Sequence, residues 1–274
     1  MIQKVGVVSR CDRPSAVGIA GEIIEHLRKK VDVFVDPGTA VELGLEGMPV
    51  GQMRQEGVEL IIAVGGDGTV LRAIQHMDDP LPVIGVNMGT VGFLVDVDAE
   101  EALQTIDSIL PGFQVDERFR LEVWINDVKL PPATNEVVII TAHPAKILAY
   151  KVWVDERKLE ELRADGLVIA TPTGSTAYAM SAGGPIVDPR VDATVVVPLA
   201  PFKLSSRPWA IPGRSRIKVE LLLPHKEAVV VVDGQYSQGI SSNDVITIEK
   251  AANPARFVRI NNDGFYEKVK SKLY

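Results

Sequence analysis

The stretch Gly65-Gly66-Asp67-Gly68-Thr69 stands directly after the apolar run Val58–Val64. Apolar residues at successive positions of this run predict a strand that is buried on both faces. The residues from Thr69 to Ile74 have helical spacing, so the glycines predict a sharp strand-to-helix turn. Glycine allows positive φ angles and lets a ligand approach the bare backbone, and the free N–H groups of a helix N-terminus favour an anion. The sequence therefore predicts a phosphate site that contains one carboxylate, Asp67.

Two common phosphate-binding loops differ from this stretch. A P-loop continues with Gly-Lys-Ser or Gly-Lys-Thr, and no lysine lies near these glycines. The dinucleotide-binding fingerprint requires a third glycine at the position that Leu71 occupies. An alternative interpretation is an ordinary tight turn in which Asp67 caps the helix. The sequence leaves both interpretations open.

The composition indicates which classes of partner to expect. The chain has 274 residues, of which 46% are hydrophobic, enough for one large domain or two of ordinary size. Its net charge is −7 and it has no dense block of Lys and Arg, so we expect no nucleic-acid partner. A phosphate ligand remains compatible with this charge, because glycine-rich backbone binds phosphate through N–H groups.

The sequence also predicts where the protein is found. The single cysteine, Cys11, cannot form an intrachain disulfide, which indicates a reducing compartment. No secretory signal and no apolar run of membrane-spanning length are evident. We therefore expect a soluble, cytoplasmic protein with no membrane partner.

Strand and helix patterns alternate over residues 1–100. The predicted strands are Lys4–Ser9, Val31–Val35, Val58–Val64 and Pro82–Val86. Helices are predicted from Pro14, Thr69 and Ala99, and residues 37–51 are predicted as a loop with a short helix. This order predicts a doubly wound, mainly parallel sheet that binds ligands beyond the carboxyl ends of its strands. Asp67 and a second glycine-bearing loop, Asn87–Leu94, both stand at such ends, so we expect a crevice there.

The pattern changes at a boundary that we place between residues 95 and 115. Short β-type runs separated by turn signals then predict an antiparallel, β-sandwich-like second domain. These runs are Leu121–Ile125, Glu136–Thr141, Ile147–Val154, Leu167–Ala170, Thr194–Pro198, Ile217–Leu223, Ala228–Val232 and Val245–Ile248. Residues 265–273 are predicted as a helix that returns to the first domain. The predicted domains are residues 1–100, completed by residues 250–274, and residues 101–249.

Two short clusters in the second domain carry candidate binding residues. Asn135 and Glu136 place an amide beside a carboxylate at the start of a strand, although such a pair is also common on a surface. Asp233-Gly234-Gln235 follows a buried strand and, taken alone, is typical of a hairpin turn.

A larger cluster combines Arg163–Gly166, Thr171–Tyr178 and Ser181–Pro185. Its hydroxyls, glycines and single aromatic ring suit a nucleoside, with Tyr178 as a stacking face. A core tyrosine on a short helix is a competing interpretation. A serine nucleophile is less well supported, because the sequence here is not Gly-x-Ser-x-Gly and no histidine lies nearby in sequence.

The histidines give no pattern of metal ligands. They are widely spaced and have no His-x-x-x-His or cysteine partner: His26, His76, His143 and His225. We therefore expect no metal site made of protein side chains. A divalent ion, commonly Mg²⁺, would arrive on the phosphates of a nucleotide.

These motifs, in this order, resemble those of the NAD kinases, which phosphorylate the 2′-hydroxyl of the adenosine ribose of NAD to make NADP. Gly65–Thr69 resembles the phosphate loop of that family, and Asn87–Leu94 lies in its Gly-x-Asn-x-Gly-x-x-Gly-Phe-Leu segment. The other matches are Asn135-Glu136, Asp165-Gly166 with Thr171–Tyr178 and Gly183–Pro185, and Asp233-Gly234-Gln235. Diacylglycerol, sphingosine and phosphofructokinase-type kinases carry similar glycine loops, whereas the run Thr171–Tyr178 is much more specific.

The resemblance implies a role for each matched residue. Asp67 would be the catalytic residue, accepting the proton of the ribose 2′-hydroxyl or orienting that hydroxyl for in-line attack. The donor phosphates would be held by Gly65, Gly66, Gly68 and Thr69, and Asn87 in the second loop would be a further binding residue. The NAD contacts would be Asn135 and Glu136 at hydroxyl groups, Thr173, Thr176 and Tyr178 at the adenine, and Asp165, Ala177 and Ser181 at the nicotinamide half. Arg163 would meet a phosphate, either one of the substrate or the new one of the product. Asp233 and Gln235 in the late turn would be further binding residues.

The resemblance also implies the partners of the protein, and it leaves two alternative functions open. The substrates would be NAD and either ATP or polyphosphate, with Mg²⁺ carried by the donor, and the protein would be a homo-oligomer, a dimer or a tetramer. The first domain would bind the donor and the second would bind NAD. A lipid or sugar kinase that shares the glycine loop stays open as an alternative. So does a non-catalytic NAD(P)-binding regulator, against which the presence of Asp67 argues.

Overall fold

The computed structural model describes residues 1–89, 92–222, 227–260 and 265–273. It divides the chain into two compact units. Unit 1 comprises Met1–Glu117 and Ala255–Tyr274, and unit 2 comprises Arg118–Pro254.

Strands and helices alternate in the first part of unit 1. In chain order they are β1 (Lys4–Ser9), α1 (Pro14–Leu27), β2 (Asp32–Val35), α2 (Pro37–Leu43), α3 (Val50–Met53), β3 (Leu60–Gly65), α4 (Asp67–Gln75), β4 (Val83–Asn87), β5 (Val97–Asp98), α5 (Ala102–Ile109) and β6 (Val115–Arg118).

Unit 2 consists almost entirely of strands. They are β7 (Leu121–Ile125), β8 (Val128–Ala133), β9 (Glu136–Thr141), β10 (Leu148–Val154), β11 (Arg157–Ala164), β12 (Gly166–Ala170), β13 (Ala193–Leu199), β14 (Trp209–Pro212), β15 (Ile217–Leu221), β16 (Ala228–Val232), β17 (Tyr236–Ile240) and β18 (Val245–Lys250), with the short helix α6 (Tyr178–Ser181) after β12. The chain then returns to unit 1 with β19 (Ala255–Val258) and α7 (Phe265–Leu273).

The sheet of unit 1 has the order β2-β1-β3-β4-β19-β6, and β5 also pairs with β4. Strand β1 runs parallel to β2 and β3, and β3 runs parallel to β4. Strand β4 also runs parallel to β5 and β19. Helices cover both faces: Ile23 of α1 and Ile106 of α5 pack with one set of strand residues, and Val70 of α4 packs with the other. The predicted doubly wound, mainly parallel sheet is confirmed.

The parallel register explains why two loops meet at one edge of this sheet. Gly65 at the end of β3 lies opposite Asn87 at the end of β4. The glycine turn before α4 and the loop after β4 therefore begin at neighbouring positions, as expected for the carboxyl ends of adjacent parallel strands.

The two sheets of unit 2 are antiparallel and have six strands each, in the orders β11-β10-β15-β18-β7-β8 and β14-β13-β12-β9-β16-β17. A single apolar core joins them, because residues such as Val123 and Tyr150 of the first sheet pack with Val137 and Val230 of the second. The predicted β-sandwich-like fold is confirmed.

Edge strands account for most differences from the predicted strands of unit 2. Every central strand corresponds to a predicted run, whereas β8, β11, β14 and β17 correspond to none. These four are the outer strands of the two sheets. The turn before β11 is at Asp155 and Glu156, which have φ angles of 47° and 64°.

Three boundaries in unit 1 also differ from prediction. Residues 37–51 contain the regular helix α2, whose first turn is capped by the side chain of Asp36. Helix α4 begins at Asp67, two residues before the predicted start at Thr69, because Gly66 is its N-cap residue. Helix α5 lies in unit 1 rather than beyond a boundary at residue 100, since Ile106 belongs to the core of the parallel sheet.

Among the helices in the described part of the chain, none combines the length and the apolar character needed to cross a membrane.

Candidate functional site

Asp67 is the first residue of α4, and both of its carboxylate oxygens accept backbone hydrogen bonds. The N–H of Phe93 donates to Oδ2 at 2.7 Å, and the N–H of Leu94 donates to Oδ1 at 2.9 Å. No side chain caps the helix; its N-cap residue is Gly66, whose carbonyl accepts the N–H of Thr69 at 2.9 Å. The interpretation of Asp67 as a cap is therefore wrong, and its half-buried carboxylate joins the two glycine loops instead.

The glycines around Asp67 serve close packing rather than unusual backbone angles. A Cβ on Gly65 would lie 2.3 Å from Oγ1 of Thr69, and a Cβ on Gly92 would lie 2.4 Å from Oδ1 of Asp67. Gly66 has a φ of −118° and Gly68 lies within α4, so neither has the positive φ that their sequence suggested.

The amino end of α4 has backbone groups that suit an anion. The N–H of Thr69 bonds to Gly66, while Asp67 and Gly68 stand in the first turn, where N–H groups have no acceptor within the helix. The helix dipole adds positive potential at the same place. Nearby, Oδ1 of Asn87 accepts the N–H of Gly89 at 3.1 Å. This end of unit 1 can therefore hold phosphate oxygens next to a carboxylate.

In unit 2, Asp233 organises the segment that precedes β9. Its carboxylate accepts the backbone N–H groups of Thr134, Asn135 and Glu136 at 2.7, 2.8 and 3.0 Å. Burial raises the pKa of Asp233 to about 6, although the three N–H groups oppose this effect. The φ angles of Asp233 and Gly234, 50° and 65°, confirm the hairpin turn between β16 and β17. The side chain of Asp233 thus fixes the backbone of the Asn-Glu pair.

Three consecutive residues there carry buried side-chain oxygens that no described residue bonds. These atoms are Oγ1 of Thr134, Oδ1 of Asn135 and Oε2 of Glu136. The surface interpretation of the pair is wrong, because Asn135 and Glu136 are only 9% and 7% exposed. Burial and the nearby charge of Asp233 raise the pKa of Glu136 to about 8. Buried polar atoms without a protein partner indicate a place that a ligand completes.

The turn after β12 packs directly on the same segment. Oγ1 of Thr171 donates to the carbonyl of Thr134 at 2.7 Å and accepts the N–H of Gly174 at 3.0 Å. A Cβ on Gly174 would lie 2.1 Å from the carbonyl oxygen of Asn135. Only glycine therefore allows this turn to approach the Asn-Glu pair.

Ser175 has a structural role in this turn. Its hydroxyl donates to the carbonyl of Pro172 at 2.7 Å and accepts the N–H of Val187 at 2.9 Å, and the residue is fully buried. These contacts occupy the hydroxyl and remove it from solvent, which agrees with the weak support for a serine nucleophile.

Tyr178 begins α6 and is 42% exposed, so its placement in the core is wrong. Its backbone N–H opposes the rise in the pKa of Glu136, so Tyr178 lies close to the carboxylate of the Asn-Glu pair. Thr173 and Thr176 are each 8% exposed and share a hydrogen bond from Oγ1 of Thr176 to the carbonyl of Thr173 at 3.3 Å. Ala177 precedes the helix, and Ser181 ends it in an exposed position.

The remaining predicted contact residues of unit 2 lie in other elements. Arg163 is exposed on β11, with its guanidinium 5.6 Å from the ring centroid of Phe202. Asp165 links β11 to β12 and is half-buried, and Gln235 is exposed in the hairpin after β16. Among the described residues, no hydrogen bond joins Arg163 or Gln235 to the segment around Asn135. The hydrogen bonds of unit 2 therefore bring together only some of the predicted contact residues.

No group of three or more His, Cys, Asp or Glu residues that would hold a metal ion occurs in the described ranges. His26 pairs with Asp107 at 2.9 Å, and His143 pairs with Glu227 at 2.9 Å. Nδ1 of His76 contacts the carbonyl of Arg72 at 2.6 Å. His225 lies outside the described residues.

Comparison with protein families decides between the remaining interpretations. The model of the ATP-NAD kinase N-terminal domain matches residues 5–113, and that of the ATP-NAD kinase C-terminal domain matches residues 134–260. The chain belongs to the ATP-NAD kinase family. The resemblance inferred from the motifs is thereby confirmed.

Relatives in this family align over nearly the whole chain. The chain is 57% identical to the NAD kinase of Methanosarcina barkeri over 272 residues, which covers 99% of both proteins. It is 44% identical to the NAD kinase of Methanothermobacter thermautotrophicus, over 99% of this chain and 96% of that relative.

Solved structures of the family have the same fold. Yeast NADH kinase complexed with NADH matches with a TM-score of 0.91 and 25% identity, over 99% of this chain and 87% of that one. An NAD kinase from Archaeoglobus fulgidus in complex with ATP matches with a TM-score of 0.80 and 30% identity, over 99% of both chains.

Sequence reasoning missed three groups at these sites. Phe93 and Leu94 act through backbone N–H groups, which any residue type supplies, so only the preceding Gly92 gave a signal. Thr134 stands beside the Asn-Glu pair, and its buried hydroxyl has no sequence pattern of its own. These groups become visible only once the strands are paired.

Proposed function

We propose that this member of the ATP-NAD kinase family transfers the terminal phosphoryl group of ATP to the 2′-hydroxyl of the adenosine ribose of NAD, giving NADP and ADP. The observation that carries the proposal is the carboxylate of Asp67, held by two backbone N–H groups at the amino end of α4. A proton acceptor and an anion-binding helix end thus occur in one turn, as phosphoryl transfer to a hydroxyl requires.

Asp67 accepts the hydroxyl proton in this mechanism. The ribose oxygen forms a bond to the γ-phosphorus of the donor, the bond from that phosphorus to the β,γ-bridging oxygen breaks, and the proton passes to a carboxylate oxygen of Asp67. Each oxygen of the carboxylate accepts one N–H and keeps a second lone-pair site for the hydroxyl. The two N–H donors fix the direction of the carboxylate, which lowers the entropic cost of reaching the reactive geometry.

The donor side of the proposal uses the turn around α4. The backbone of Gly65, Gly66, Gly68 and Thr69 binds the phosphates, supported by the unused first-turn N–H groups and the helix dipole. Asn87 shapes the adjoining loop through its bond to Gly89.

The NAD side of the proposal uses the buried oxygens of unit 2. Asn135 and Glu136 take hydroxyl groups of NAD, because their unpartnered oxygens need hydrogen-bonding partners. Glu136, with a pKa of about 8, can donate a proton in such a bond. Thr173, Thr176 and Tyr178 surround the adenine, Asp165, Ala177 and Ser181 contact the nicotinamide half, and Arg163 and Gln235 complete the set. We assign Asp233 to holding the Asn-Glu backbone rather than to ligand contact, since three N–H groups occupy its carboxylate.

A divalent ion fits this site only if it enters on the donor. The described residues contain no cluster of three metal-ligating side chains, and the carboxylate of Asp67 already accepts two N–H groups. Bound to the donor phosphates, Mg²⁺ would neutralise their charge for transfer.

Incubation with ATP, Mg²⁺ and NAD, followed by chromatography for NADP, tests the function. Sphingosine and fructose 6-phosphate replace NAD in parallel reactions, polyphosphate replaces ATP, and NADH is compared with NAD. We expect NADP from NAD and no phosphorylated lipid or sugar. Tight NAD binding with no NADP formed from any donor would favour the non-catalytic regulator. Formation of a phosphorylated sugar or lipid would favour the other kinase classes.

We further propose a cytoplasmic location and a homo-oligomer, either a dimer or a tetramer. The free thiol of Cys11 supports the reducing compartment. Light scattering of the purified protein gives the subunit number directly.

A further inference from the structure

The helix α7 contacts the loop that holds Asp67. Nζ of Lys268 donates to the carbonyl oxygen of Phe93 at 2.6 Å and forms an ion pair with Asp96. Nζ of Lys272 lies 5.6 Å from the centroid of the Phe93 ring. Two ammonium groups from successive turns of one helix therefore contact a single loop residue.

One peptide unit connects Lys268 with Asp67. The carbonyl of Phe93 and the N–H of Leu94 belong to the same peptide group. Its carbonyl end accepts from Lys268 at 2.6 Å, and its N–H end donates to Oδ1 of Asp67 at 2.9 Å. A cation at the carbonyl end polarises the peptide and strengthens the bond that its N–H donates to the carboxylate.

This chain of bonds is partly shielded from water. The side chain of Lys268 is 21% exposed, and Leu94 and Phe93 are half-buried. The charge-assisted bond is thus screened less than a pair on the open surface.

The second lysine of α7 faces the same acidic groups. Burial and the charge of Lys268 lower the pKa of Lys272, while the charges of Asp96, Asp67 and Asp98 oppose that effect. Lys272 therefore lies close enough to the carboxylate of Asp67 to interact with it electrostatically.

We propose that Lys268 is a positioning residue for phosphoryl transfer: through the peptide between Phe93 and Leu94 it holds the carboxylate of Asp67 in its reactive direction. The inference rests on the proposed function, in which Asp67 accepts the hydroxyl proton. Lys268 touches neither substrate in this scheme, so it influences kcat through Asp67 and leaves substrate binding nearly unchanged.

Steady-state kinetics of Lys268→Met provide the first test. We expect kcat to fall about tenfold, with KM for NAD and for ATP within about twofold of the original values, because a transition-state contribution is lost without a binding contact. Lys268→Arg keeps a cationic donor and should restore most of kcat. The matched control is Lys270→Met, an exposed lysine of the same helix, which should leave kcat and the melting temperature unchanged.

Folding is followed in the same variants. If Lys268→Met melts far below Lys270→Met, Lys268→Gln replaces it, because glutamine keeps a neutral donor, and kcat should then lie between those of the Met variant and the original protein. A uniform rise of both KM values with unchanged kcat would overturn the inference, since it would show a binding role.

A double-mutant cycle separates this inference from the proposed function. If Lys268 acts through Asp67, Lys268→Met has no further effect on the residual rate of Asp67→Asn. An equal tenfold loss in both backgrounds would refute the positioning role while leaving the function of Asp67 intact. Near-normal turnover of Asp67→Asn alone would instead refute the proposed function, and with it this inference.

Discussion

Oδ2 of Asp67 accepts a hydrogen bond from the backbone N–H of Phe93 at 2.7 Å. This contact joins two loops that leave neighbouring parallel strands, since Gly65 and Asn87 lie opposite each other in the sheet. The geometry of the carboxylate therefore depends on the loop after β4 as much as on the Gly-Gly-Asp-Gly-Thr turn that contains it.

Gly92→Ala tests this dependence. The added Cβ would lie 2.4 Å from Oδ1 of Asp67 and 2.7 Å from Cγ2 of Val95, so the loop must move and the carboxylate with it. We expect kcat to fall about 10²-fold, as for a misplacement of roughly 1 Å at a reacting group. NAD affinity should change much less.

Gly18→Ala is the control for this substitution. Gly18 lies in α1 with nothing within 4 Å of its Cβ position. The variant should keep its kcat and gain about 0.4–1 kcal/mol of stability. A Gly92→Ala protein with turnover within twofold of the original would contradict the role of the loop.

Asp233→Asn tests the organisation of the Asn-Glu segment. The amide offers one acceptor oxygen where three backbone N–H groups now meet a carboxylate. We expect the free energy of unfolding to drop by about 1–3 kcal/mol, and NAD to bind more weakly because Asn135 and Glu136 lose their fixed backbone. Thermal melts and calorimetric titration with NAD measure both effects.

The control for Asp233 is Asp155→Asn, which alters an exposed carboxylate that accepts from Ser215 and Arg216. It should leave NAD affinity unchanged. Unaltered NAD binding by Asp233→Asn would show that this carboxylate does not organise the NAD segment.

Glu136 makes stability depend on pH in a defined direction. Its pKa in the folded protein, about 8, lies above the ordinary value of 4.5. Between these values the folded state binds more protons than the unfolded state, so the free energy of unfolding falls as pH rises. Glu136→Gln should therefore reduce the loss of melting temperature between pH 5.5 and about pH 8. Glu161→Gln, which changes an exposed site on β11, should leave the pH dependence of the melting temperature unchanged. If the original protein and both variants lose the same melting temperature over this pH range, the pKa of Glu136 is not raised in the folded protein.

Substitutions of Tyr178 distinguish a role in stacking on NAD from a role in packing the fold. Because the residue is 42% exposed, Tyr178→Ala should alter the melting temperature little. It should weaken NAD binding by about 1–3 kcal/mol if the ring stacks on a base, and Tyr178→Phe, which keeps the ring, should bind NAD normally. A large drop in the melting temperature of Tyr178→Ala with unchanged NAD affinity would show that the ring has a structural role.

The central strands could be predicted from sequence, and the edge strands could not. Leu167–Ala170 is apolar because this central strand is buried on both faces: Leu167 and Ile169 pack in the core between the two sheets, and Val168 and Ala170 pack in an apolar cluster on the other face. At the edges, β8 contains Pro131 and Pro132, and β11 is rich in charged residues. Proline and charge at an edge discourage pairing with another chain, and they also remove the alternation by which a strand is recognised.

The candidate residues could be predicted better than their contacts. The glycine turn and the Asn-Glu pair stand out as unusual sequence, but Asp67 is held by backbone groups 26 and 27 residues away. Asp233 reaches the Asn-Glu pair across more than 95 positions. Contacts of this kind depend on which distant strands become neighbours in the fold, and the local pattern of residues does not determine that.

The role of Asp67 as the proton acceptor is tested by the rate of NADP formation by Asp67→Asn, compared with the rate of the original protein under saturating NAD, ATP and Mg²⁺. Asparagine keeps the size of the side chain but removes the base, and its amide group opposes one of the two N–H donors. We expect turnover lower by roughly two to four powers of ten, with NAD affinity changed far less. Near-normal turnover of the Asn variant would contradict this role of Asp67.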